Sequence, residues 1–151
     1  MNPRAQSRSV ARLAAVQALY QLEMEGTPLA RLLDEFHQHR LGGEIDEEAG
    51  DARYADAEVE FFDDIVRGVD ARRDEIDGLL QSKLAEGWTL KRLDRTMLQI
   101  LRAGAYELIA RADIPTGSAI SEYVDVAHAF FDAREAKFVN GVLDAVAKAS
   151  R

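Results

Sequence analysis

Residues 90–109 read LKRLDRTMLQILRAGAYELI. The apolar members Leu93, Met97, Leu98, Ile100, Leu101, Leu108 and Ile109 go almost all the way round a helix advancing ~100° per residue. A helix apolar on every side lies at the centre of a bundle, not on its rim. Ala103, Gly104 and Ala105 keep its backbone thin, so a neighbouring helix can approach closely.

The same period extends in both directions. Towards the carboxyl end, Ile114–Pro115–Thr116–Gly117 reads as a turn. Ser118 is a candidate N-cap for a helix burying Ile120, Tyr123, Val124, Ala127, Phe130 and Phe131. A last helix over roughly 135–149 carries Phe138, Val139, Val142, Leu143 and Val146 on one side. Towards the amino end, Gly87–Trp88 marks a corner, with Trp88 expected as a large core plug beneath it. Stripes at Ile76, Leu79, Leu80 and Leu84 and at Val59, Phe62, Ile65, Val66 and Val69 give two more helices, separated at Gly68 or at the Asp70–Arg73 cluster. Residues 40–54 are acidic, hold Gly42, Gly43 and Gly50, and lack periodicity, which predicts a loop. Leu29, Leu32, Leu33 and Phe36 follow Pro28 as a short amphipathic helix. Asn2–Pro3 can open a first helix whose stripe is Val10, Leu13, Val16, Tyr20 and Met24. About seven helices joined by short connections, with no repeat and no evident linker, make an all-α compact bundle and a single domain over 1–151.

The 151 residues contain no cysteine, which removes disulfides, thiolate metal sites and cysteine nucleophiles together and fits a reducing cytosol. No apolar run approaches the ~20 residues of a membrane span, and no leader is evident, so a soluble cytoplasmic protein is expected. The net charge is −8, unevenly spread. Residues 1–22 hold three arginines and no acid; residues 23–86 hold nineteen acids against seven bases; residues 87–151 come to +1. A basic end on an acidic body suits a protein that meets a polyanion at one end only. Arg4, Arg8 and Arg12 share a helix face and are expected at the surface, where a solvated helix end is the plain alternative.

Signatures of catalysis are missing. His37 and His39 are two apart, face different ways on a helix and cannot share a metal, so both are expected in solvent. His128 falls on a polar helix side beside Asp125 and Asp132. Gly42–Gly43 lacks the lysine and hydroxyl residue of a phosphate-cradling loop. The pairs Glu47–Glu48 and Asp63–Asp64 are sequence neighbours on an acidic face, not an acid–base dyad across a cleft. No catalytic residue, metal or cofactor is expected.

Four stretches together resemble the NusB family of bacterial transcription antitermination factors. They are Arg8–Ser9–Val10–Ala11–Arg12 leading to Ala15–Val16–Gln17–Ala18–Leu19–Tyr20–Gln21; Trp88 to Leu93 followed by Ile100–Leu101–Arg102–Ala103 and Tyr106–Glu107–Leu108; Ile114–Pro115 to Ile120 with Glu122; and Lys137–Phe138–Val139–Asn140–Gly141–Val142–Leu143–Asp144. The last is the most specific, because generic helix packing does not ask for asparagine then glycine inside a helix.

The resemblance implies two packed helical subdomains and pairing with a small-subunit ribosomal protein, NusE in its transcriptional role. It implies that the pair binds the single-stranded boxA element of nascent ribosomal RNA and joins the transcription elongation complex. On this likeness Arg4, Arg8 and Arg12 lie along RNA phosphates, and Phe130, Lys137 and Phe138 form a second RNA-facing region. Guanidinium suits phosphate and exposed aromatic rings suit unstacked bases; core packing is the competing role for Phe130 and Phe138. Asn140 and Gly141 either bring backbone near RNA or permit close helix contact, with packing favoured. Tyr20, Glu23 and Met24 match the partner-protein surface, burial within the chain being the alternative and the favoured one for Met24. The acidic residue usual before Ile–Leu–Arg sits a turn early if it is Asp94, and Phe131 replaces a common glycine. Other readings stay open: a purely protein-binding helical adaptor or homodimer, or a stand-alone relative of the targeting domain of ribosomal-RNA cytosine methyltransferases.

Overall fold

A computed structural model of the chain describes residues 3–39 and 52–151, with side chains described over 6–39 and 59–151. Seven α-helices follow in order among the described residues: α1 (Pro3–Glu25), α2 (Leu29–His39), α3 (Ala52–Ala71), α4 (Arg73–Lys83), α5 (Arg95–Ala110), α6 (Thr116–Phe130) and α7 (Ala133–Ser150). A 3-10 turn at Leu90–Arg92 precedes α5. The expected loop over 40–54 lies outside the described residues up to 51; helix has begun by Ala52. The chain divides into two compact units, Met1–Arg67 and Gly68–Arg151. The boundary falls inside α3, which is why no linker composition announces it.

In the first unit, Gly26 takes a φ of 66°, donates its N–H to the Leu22 carbonyl and stops α1. The buried face of α1 is built mainly from small side chains: Ser7, Ala11, Ala14, Ala15 and Ala18, with Val16 and Leu19. The stripe expected to be its core face is largely outside, since Val10, Tyr20 and Met24 are exposed. Alanines let a backbone approach closely, so dense packing prevails over the bulkier stripe. Leu32, Leu33 and Phe36 of α2 are buried, and Phe36 stacks on Phe62 of α3 with ring centres 5.4 Å apart.

In the second unit every residue of α5 from Met97 to Leu108 is buried, as its all-round apolar pattern predicts. It packs against α4, α6 and α7. Its start is fixed by Asp94, whose carboxylate accepts from the N–H groups of Thr96 and Met97 at 2.8 and 3.1 Å. A Cβ on Gly104 would stand 2.7 Å from Leu143 of α7, so the thin backbone permits that approach. Gly68 does not divide helices but accommodates Tyr106, and the break falls at Arg72 between α3 and α4. Helix α6 begins at Thr116 rather than after Ser118, because Pro115 has no N–H to leave unsatisfied and its carbonyl takes the Ala119 N–H.

Arg102, Glu107 and Tyr123, polar groups within this core, are paired. Arg102 grips Asp77 through two bonds of 2.8 and 2.9 Å, and buried Tyr123 donates its hydroxyl to buried Glu107. Arg151 donates to the carbonyls of Glu107, Leu108, Arg111 and Ile114 and to the Thr116 hydroxyl, covering the end of α5 and its turn into α6.

Candidate nucleic-acid interface

The basic arm differs from its sequence expectation. The Arg4 side chain lies outside the described side chains. Arg8 is half-buried, and Arg12 is 4% exposed. Both guanidiniums sit 4.9 Å from the centre of the Phe61 ring, a geometry in which the negative ring face attracts the cation. Arg12 is therefore a packing residue at rest and not part of an exposed strip. The signal was Phe61 itself: it falls off the apolar stripe of α3, and an aromatic ring there needs cover from elsewhere.

The second expected region does reach the surface. Phe130 is 42% exposed, Phe138 is 36% exposed and Lys137 is exposed, which settles the choice between core and surface for both rings. Asn140 and Gly141 are also exposed, and a Cβ on Gly141 would meet nothing within 4 Å. Packing therefore does not explain that glycine, against the reading favoured from sequence.

Between α6 and α7 runs an open groove of about 650 Å³, lined by Val124, His128, Ala133, Arg134, Ala136, Lys137 and Asn140. No carboxylate lines it, although the chain carries twenty-seven acids. Arg134 and Lys137 make no ion pair and His128 no hydrogen bond among the described residues. Two uncompensated cations and an imidazole in a carboxylate-free groove favour an anion. Arg134 and His128 escaped the sequence reading because nothing along the chain shows that α6 and α7 share one edge.

Trp88 is not a core plug but 48% exposed, with the Arg92 guanidinium 4.9 Å from its ring centre. Tyr20 is exposed, Glu23 half-buried and Met24 51% exposed, so Met24 is outside where burial had been favoured. One turn apart on α1, the tyrosine and methionine offer an apolar, amphipathic anchor. Asp94, as the α5 cap, has a structural task. His37 is not a solvent side chain: its Nε2 lies 2.6 Å from Asp63 Oδ1, joining α2 to α3. Among the described residues no group of three or more His, Asp or Glu side chains is placed to hold a metal. No helix there is long and apolar enough to cross a membrane.

The family model of the NusB family matches residues 9–148. The chain belongs to the NusB family. It is 73% identical over 142 residues to the transcription antitermination protein NusB of Novosphingobium aromaticivorans, covering 94% of this chain and 93% of that protein. With the NusB of Sphingopyxis alaskensis it shares 68% over 148 residues, or 98% and 97% of the two chains. These relatives are named for antitermination and not for catalysis, in line with the sequence reading. Among solved structures, T. maritima NusB matches with a TM-score of 0.73 at 31% identity, over 98% of this chain and 92% of that one. A crystal structure of the antitermination factors NusB and NusE in complex with dsRNA matches with a TM-score of 0.77 at 26% identity, over 95% and 98%.

Proposed function

We propose that this NusB-family protein is a cytoplasmic transcription antitermination factor that binds boxA RNA of nascent ribosomal transcripts together with the ribosomal protein NusE. Within the elongation complex it would act as a single RNA-binding helical domain. The observation that carries this reading is the α6–α7 edge, where the carboxylate-free groove of Arg134, Lys137 and His128 adjoins exposed Phe138 on the same helix. Cations hold phosphates and fix register, while exposed rings take unstacked bases. Support also comes from the NusB relatives and from the structural likeness to NusB seen with NusE and RNA. Arg4 and Arg8 would add phosphate contacts; Arg12 would join only by leaving Phe61. Tyr20, Glu23 and Met24 would seat the ribosomal protein.

Mixing the chain with NusE and boxA RNA is expected to give a ternary complex tighter than either binary one. Equal affinity for boxA and for a scrambled RNA with the partner present would overturn the specific reading. Pairing with NusE that RNA leaves unaffected would favour a protein-only adaptor.

A further inference from the structure

A second groove, of about 530 Å³, lies on the other side of Arg134. Trp88, Phe131 and Phe138 give it aromatic walls, and Arg92 and Arg134 stand among its lining residues. Glu135 also lines it, and the Oε2 atom of that carboxylate is withdrawn from solvent with no hydrogen-bond partner among the described residues. A buried acceptor left without a donor costs free energy that a donor entering the groove would return. Flat rings, cations nearby and an unanswered acceptor are together what an unstacked nucleobase needs: faces to stack on, charge for its phosphate, and a group to meet its edge.

We propose that this groove holds a single nucleobase bearing an exocyclic amino group, and that Glu135 is the residue that reads it. The inference rests on the RNA-binding reading above, with which the groove is continuous through Arg134. Guanine presents two adjacent donors, N1–H and the 2-amino group, to a carboxylate. Cytosine and adenine offer one amino group each. Uracil places carbonyl oxygens on both sides of its single N–H, so they would face the carboxylate and be repelled. Glu135 is half-buried with Oε2 withdrawn from solvent, so its side chain would turn toward the groove to meet the base edge.

Trp88 is the only tryptophan in the chain and forms one wall, so its emission reports occupancy. The full chain would be titrated with uridine hexamers carrying one central guanosine, one inosine (which lacks the 2-amino group), or neither. In parallel, anisotropy of the end-labelled RNAs follows binding wherever it occurs. The guanosine hexamer is expected to quench Trp88 and to bind about five-fold tighter than the uridine one, with inosine between. Glu135→Gln, whose amide can donate to a uracil carbonyl, should close that gap. Lys137→Ala should weaken all three hexamers alike. Equal affinities for guanosine and uridine hexamers, or RNA binding by anisotropy with no change at Trp88, would overturn the base pocket while leaving RNA binding intact. Trp88 responding to a tryptophan-free preparation of NusE, and to no RNA, would assign the groove to protein and overturn it too. Absence of any RNA binding by anisotropy, with and without NusE, would overturn both readings together.

Discussion

The guanidinium of Arg12 lies over the Phe61 ring, 4.9 Å from its centre, and is almost wholly withdrawn from solvent. Arg8, one turn earlier and half-buried, lies at the same distance from that ring. Part of the cationic face of α1 is thus committed to holding α1 and α3 together within the first unit.

Removing that contact should cost stability. Arg12→Ala is expected to destabilise the fold by about 1–2 kcal/mol, combining a lost cation–π contact with lost packing. For a chain of this size that lowers Tm by roughly 2–8 °C. Arg8→Ala should cost less, because its side chain remains partly in water. Thermal melts followed by circular dichroism check this; an Arg12→Ala protein melting with the parent would place the guanidinium outside the fold.

The α6–α7 groove makes the opposite demand. Arg134 and Lys137 are exposed and unpaired among the described residues, so Arg134→Ala with Lys137→Ala should leave the melt nearly unchanged. Binding of single-stranded RNA should weaken and lose salt dependence. Two phosphate contacts at ~0.7 of log–log slope each amount to about 1.4. Titrations across a range of salt concentrations measure that slope directly, and an unaltered slope would mean that phosphates do not lie there.

These two cases show what the sequence carried. Periodicity alone located α5 and its burial, because a helix apolar on every side has one stable position. It also placed α2, and it left the α3–α4 break at either Gly68 or the Asp70–Arg73 cluster, of which the second is where the chain turns. It misjudged α1, where small residues turn inward and the bulky stripe outward: a hydrophobicity pattern records how apolar a side chain is, not how closely a neighbour can come. The same limit hid Arg12, whose partner Phe61 is 49 positions away, and the pairing of His37 with Asp63. Phe130, Lys137 and Phe138 entered the candidate site through family likeness. Arg134 and His128 needed the fold, since only the meeting of α6 and α7 joins them.

A test of close packing comes from Gly68. A Cβ there would fall 2.1 Å from Cζ of Tyr106, whose ring is buried in the second unit. Gly68→Ala should therefore destabilise by about 1–3 kcal/mol, in spite of alanine's better helix propensity. Adding Tyr106→Leu removes the obstructing ring, so the double variant should lose less than the two single losses combined. Strict additivity in chemical denaturation would mean that the ring moves aside freely.

At the start of α4, Arg72 donates two 2.8 Å bonds to Glu75 and holds its carboxyl below the ordinary carboxylate range. Because the folded value is the lower one, the stabilising effect is present above the unfolded value and fades as pH falls through the folded one. Both groups face water, so the effect on overall stability should be slight. Side-chain carboxyl shifts followed by NMR should show Glu75 titrating higher in Arg72→Ala, and no movement would mean that the pair does not persist in solution.

Arg151 tests how far a single residue can fasten a helix end. Its five acceptors include the carbonyls of Glu107, Leu108 and Arg111, groups that the last turn of α5 cannot satisfy fully within itself. Hydrogen bonds from a charged donor to such carbonyls are stronger than neutral ones and also offset the negative end of the helix. Arg151→Ala should thus cost about 1–3 kcal/mol. Arg151→Lys should recover only part, since an ammonium cannot reproduce the planar fork that reaches α5 and Thr116 together. Hydrogen exchange separates this from general loosening: amides at the α5–α6 turn, Arg111 to Ile114, should lose protection first, while those of α2 in the other unit keep theirs. Uniform loss across both units would mean that Arg151 contributes to global stability without fastening this end.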